Sequence, residues 1–177
     1  MQVEPAQPRR RRQQTVRNMV WSLVPLLALI VIFVVIFQPG KQPTNTVNPQ
    51  PDFSYATHQM RAPVPAPHGL SGKWRPTSSD LSQPDRQGRV KLEVGYITPQ
   101  NQFAELVESN RPVADLVRNT VPGSTRQGSV TVGGTDWARY KTSRGEIALA
   151  APHGRVSVVV TGSAKLTELQ TLAASLR

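Results

Sequence analysis

The 177 residues include sixteen prolines, three histidines and no cysteine, and they carry a formal net charge of +10. The lack of cysteine excludes disulfides, thiol nucleophiles and cysteine-ligated metal sites, so any folded part must rely on its apolar core. The excess of base suits an envelope of anionic lipids and acidic polymers. It is no argument for nucleic acid, because the arginine run lacks the length and aromatics of a nucleic-acid module.

Residues 1–18 form a basic tail whose cations are Arg9, Arg10, Arg11, Arg12 and Arg17, opposed by Glu4 alone. Met19–Phe37 follows without a charged residue. At about 1.5 Å per residue, a helix over this stretch is roughly 28 Å long, close to the hydrocarbon thickness of a bilayer. Apart from Trp21, Ser22 and Pro25 near its start, it is apolar all round, unlike a helix at the surface of a globular domain. Gln38-Pro39-Gly40-Lys41 comes next, with no small-x-small cleavage pattern, which favours an uncleaved transmembrane helix at 19–37 over a secretory signal. Gln38–Tyr55 then holds Lys41 as its one cation. This bias places the N-terminus in the cytoplasm and the remainder outside the cell membrane, with the five arginines as the topology signal and the lipid bilayer as first partner.

Residues 38–67 read as a proline-rich extracytoplasmic linker. Pro39, Pro43, Pro49, Pro51, Pro63, Pro65 and Pro67 favour extended, polyproline-like chain. Asp52–Met60 interrupts it. Its Phe53, Tyr55 and Met60 are expected to dock on the domain, as a short helix or an extended piece, with Ala62–Pro67 running along the domain surface.

Residues 68–177 are expected to form an α+β domain, an antiparallel sheet of about six strands packed by helices. Gly72–Leu81 reads as a first strand, at an edge because of Pro76. Val90–Ile97 alternates, with Val90, Leu92, Val94 and Tyr96 on one face. Thr98-Pro99 resembles a helix start, and Phe103, Leu106 and Val107 then predict a helix over Gln100–Ser109. Pro112–Val117 reads as a second short helical piece. Gly128–Val132 and Thr135–Thr142 form a hairpin pattern about Gly133-Gly134. Glu146–Ala151 and Val156–Thr161 extend it to a four-stranded meander. The nearly continuous β-branched run Val156–Val160 belongs at the centre, covered on both faces. Gly162-Ser163 caps a final helix, Ala164–Ser175, which lies on the sheet through Leu166, Leu169 and Leu176.

Several segments occur in a telling order: the span, the proline-rich tether, Gly72-Lys73-Trp74-Arg75-Pro76-Thr77-Ser78, Val94-Gly95-Tyr96-Ile97-Thr98-Pro99, Trp137-Ala138-Arg139-Tyr140, and Val158–Ser163 ahead of Leu172-Ala173-Ala174-Ser175-Leu176. In this the chain resembles an actinobacterial family of single-pass membrane proteins, domain of unknown function 4245. The resemblance implies an envelope location and carries over no catalytic residues.

No chemistry-bearing set assembles from the sequence. His58, His68 and His153 are scattered through tether and turns, with no spacing of metal ligands. Glu105 and Glu108 read as a solvated helix face, and Asp136 as a support of the hairpin turn. No nucleophile elbow and no phosphate-binding Gly-Lys loop is present. Trp74 and Trp137 have basic neighbours. Arg75 adjoins the first, while Arg139 and Lys141 share a strand face with the second by period two. These five residues, Trp74, Arg75, Trp137, Arg139 and Lys141, are the candidate ligand contacts, weighed against tryptophans that fill the core while cations snorkel over them. The functional expectation is a non-enzymatic envelope binding or scaffolding module needing no cofactor, its partner a cell-wall polymer or another membrane protein. The alternatives are an accessory subunit of a larger membrane complex and, on less support, a cell-wall hydrolase.

Overall fold

The computed structural model describes residues 46–177. The predicted tail, the span at 19–37 and residues 38–45 of the linker lie outside them. Among the described residues, no helix is long and apolar enough to cross a membrane.

The first helix, α1 (Gln50–Met60), starts with Pro51 in its first turn, where a missing N–H costs nothing. Phe53, Ala56 and Met60 recur at helical spacing and are buried in the main core. Arg61 ends it in the left-handed conformation. Ala62 and Val64 are buried as well, and the strap they form pairs with the C-terminus. Pro67 bridges Leu176, the Ala66 and Arg177 N–H groups donate to each other's carbonyls, and the His68 N–H donates to Ser175 O at 2.8 Å. The docking expected of Asp52–Met60 thus takes helical form. The packed unit also reaches back into the stretch 38–67 read as linker, because its apolar residues are spaced to line one face despite the surrounding prolines.

Seven antiparallel strands follow: β1 (Arg75–Leu81), β2 (Lys91–Ile97), β3 (Phe103–Ser109), β4 (Thr125–Val132), β5 (Thr135–Lys141), β6 (Ile147–His153) and β7 (Val156–Gly162). Helices α2 (Val113–Thr120) and α3 (Leu166–Ala174) complete the fold. The strand order is β1-β2-β3-β7-β6-β5-β4, so two meanders join through β3 and β7. β7 is buried along its whole length, as its β-branched run predicts.

Two expectations change together. The sheet has seven strands, not six, and the extra one is the segment predicted as a helix at Gln100–Ser109. Leu106 and Val107 lie on opposite faces of β3, each buried, and two-sided burial produces an apolar run that mimics helical spacing. Thr98 caps a tight turn instead of a helix, donating its N–H to Gln102 O and accepting the Gln102 N–H on Oγ1. The last helix also begins later than the Gly162-Ser163 cap suggests, after Lys165, while Ser163 Oγ accepts the Phe103 N–H.

One sheet face carries the main core beneath α1, the strap and α3. Leu92, Val94, Leu106, Val158, Val160, Leu149 and Trp137 point into it, with Leu169, Leu172 and Leu176 above. The other face is covered by α2, which sets Leu116 and Val117 against Val107, Ala148, Ala150 and Val159.

Candidate functional site

The candidate contacts do not converge. Trp74 lies just ahead of β1, buried, with its ring edge-on to Tyr96 at a centroid distance of 6.3 Å. Trp137 on β5 is 2% exposed and sits in the main core, its indole N–H without a hydrogen-bond acceptor. Tyr96 and Trp137 stand on the second and sixth strands of the sheet, roughly 19 Å apart at about 4.8 Å per strand. Both tryptophans are therefore core residues at opposite ends of the sheet. Arg75 stays with the first, its Nη2 donating to Asn101 Oδ1 at 3.3 Å.

Arg139 and Lys141 are brought together. Alternation puts both on the main-core face of β5, where they pair with Leu149 and Ile147 of β6. Arg139 Nη2 donates to the carbonyl of Gln127 at 3.3 Å, across the bulge where the β4–β5 register slips between Arg126 and Ser129. Gln127, Arg139, Tyr140, Lys141, Gly145 and Ile147 line a cavity of about 250 Å³. No carboxylate is among them. The ion pairs of the described residues are Lys91–Glu93, Arg111–Asp85 and Arg118–Asp115, so neither Arg139 nor Lys141 is neutralised.

The carboxylates tell a different story from the one their spacing suggested. Because Phe103–Ser109 is a strand, Glu105 and Glu108 point to opposite faces and form no solvated helix face. Glu105 lies opposite Gly95, on the face of β2 that also carries Glu93. Burial raises the Glu105 carboxyl, the Glu93 charge adds to this, and Lys91 offsets part of it. Glu108 is completely buried between Leu92 and Val158, with neither oxygen hydrogen-bonded. Its carboxyl is held well above the usual range by desolvation. Tyr96 on the same face is raised too, first by burial and then by Glu108. Sequence reasoning missed this buried acid because it turned on the helix-or-strand reading of a single segment.

His58 lies in the last turn of α1, His68 at the C-terminal clasp and His153 at the end of β6. Among the described residues, no group of three histidines and carboxylates is placed to hold a metal. Thr131 Oγ1 donates to Asp136 Oδ1 at 2.6 Å across the hairpin, and Gly133 and Gly134 both adopt positive φ, as the turn requires. The arginines of the tail, Arg9 to Arg12 and Arg17, lie outside the described residues.

A family model described as Protein of unknown function (DUF4245) matches residues 11–176. No curated protein matches the chain.

Proposed function

The chain belongs to this family, and we propose that it is a membrane-anchored binding module of the cell envelope without catalytic chemistry of its own. In this reading residues 19–37 span the membrane, the arginines of the tail stay in the cytoplasm, and the folded unit lies outside. The uncharged run and its flanking charge bias support that placement. The observation that carries the binding role is the cavity of Arg139 and Lys141, two cations that line a small hollow and have no acidic partner among the described residues.

Its position suits such a role. The chain enters the fold at the β1 edge, where the Val47 N–H donates to Pro76 O. The cavity lies towards the opposite edge, centred on β5, roughly 24 Å from β1 at about 4.8 Å per strand.

The test is co-sedimentation of the full chain, in neutral detergent, with purified wall material and with anionic vesicles across a salt series. Binding that weakens as salt screens the charges supports the module. Absence of binding to either at low salt, or turnover of a wall substrate, refutes it.

A further inference from the structure

We propose that the cavity between Arg139 and Lys141 is a phosphate site. The inference rests on the binding-module reading and names the group that module recognises. Two residues apart on one strand, the two side chains leave the same face from positions roughly 6.6 Å apart. A phosphate carries a charge between one and two and three acceptor oxygens, so it can take the planar fork of Arg139 and the ammonium of Lys141 together. A lone carboxylate is satisfied by an arginine fork alone and leaves the lysine unused.

The surroundings agree. Arg139 spends one N–H on the Gln127 carbonyl, which fixes its direction and leaves its other donors free. Gln127 Nε2 is engaged with Thr125 Oγ1, so its amide stays on its own strand. Ile147 lines part of the cavity, and an apolar wall lowers the local dielectric and strengthens the attraction of cation for anion. The nearest acid in sequence, Glu146, lines the adjoining cavity with Thr120 and Arg144. α3 meets this corner of the sheet at the hairpin end, where Gly133 lies against Ala174, and does not line the cavity. A volume of about 250 Å³ is below that of ordinary drug-sized pockets, and it fits one phosphate with a short attachment. A lipid headgroup and a glycerol-phosphate unit of a polymer present the same group.

The experiment uses the full chain in neutral detergent, with sn-glycerol 3-phosphate as probe, titrated by calorimetry at low salt. Saturable binding is expected, weakened at least ten-fold in Arg139→Gln/Lys141→Gln and unchanged in Arg155→Gln, which removes a cation from the distant β6–β7 turn. Lys141 is exposed, so Lys141→Gln alone gives the readout should the double variant fail to fold. Vesicles of phosphatidylglycerol against phosphatidylcholine separate the sources. Binding to the former that depends on Lys141 identifies a lipid headgroup, and binding to the soluble probe alone identifies a free or polymer phosphate. No binding of glycerol phosphate, or wild-type affinity in both Lys141→Gln and Arg139→Gln, overturns the phosphate site. Should the full chain then still sediment with wall material, the binding module stands without it.

Discussion

Replacing Glu108 by leucine is expected to stabilise the protein. The wild-type side chain is fully buried and neither oxygen has a partner. Burial raises its pKa well above the usual carboxylate value and so favours the protonated form. Even a neutral polar group buried without a hydrogen bond costs about 1–3 kcal/mol. Leucine has a similar size and no polar atom, and Leu92 and Val158 flank the site. Relief of that penalty corresponds to a rise in Tm of roughly 4–10 °C, at about 2.1 cal/mol/K of unfolding entropy per residue over the folded unit. The pH dependence adds a second signature. A carboxyl raised in the folded state holds its proton more tightly there than in the unfolded chain. Its contribution to stability is therefore fully present below the unfolded value of 4.5 and is lost as pH rises through the folded value. Wild type should lose stability from about pH 4.5 upward. Glu105, raised less strongly, acts in the same sense, so the difference between wild type and Glu108→Leu isolates Glu108. Thermal melts of the full chain followed by circular dichroism between pH 4.5 and 8.5 measure both effects. A variant that melts below wild type at pH 7.5, or keeps the wild-type pH slope, refutes the claim that this carboxyl is an unsatisfied burden on the core.

Leu169→Asp sets a charge into the contact between α3 and the sheet, where Leu169 has no exposure; a loss of about 4 kcal/mol or more is expected in denaturant titration, and an unchanged midpoint contradicts the packing. Gly162 has φ +134° and a Cβ there would come within 2.4 Å of Phe103 O, so Gly162→Ala should cost about 2–4 kcal/mol through backbone strain and a wedge between β3 and β7; a neutral melt shows that the strands adapt. For the proposed topology, protease added to intact spheroplasts should remove the folded unit and leave the tail. A protected domain contradicts it.

The sequence carried most of the sheet because its signals were local. Val156–Val160 is β-branched except at Ser157, and it forms the buried centre. Gly133-Gly134 sits between two alternating runs and makes the hairpin. Leu169 and Leu172 at helical spacing mark the face of α3. Phe103–Ser109 defeated the same reasoning, since a strand buried on both faces has no alternation to show and Thr98-Pro99 imitates a cap. α1 was obscured by proline composition, although Phe53, Ala56 and Met60 already held its spacing. Of the candidate contacts, period two along β5 was enough to pair Arg139 with Lys141. Nothing local reveals that Trp74 and Trp137 belong to distant strands, because strand order is a long-range property of the sheet.

The strand order also bears on how the protein is made. β3 must pair with β7, the last strand of the chain, before the first meander gains its inner neighbour. The strap after α1 is clasped by Ser175, Leu176 and Arg177, at the extreme C-terminus. As the polypeptide emerges residue by residue, β1, β2 and β3 appear early and wait with an open edge, while their closing partner is still being delivered. Pairings so distant along the chain form slowly, and exposed strand edges attract the wrong neighbours. The first meander therefore gains its inner neighbour only through a pairing of high sequence separation, the kind that forms slowly.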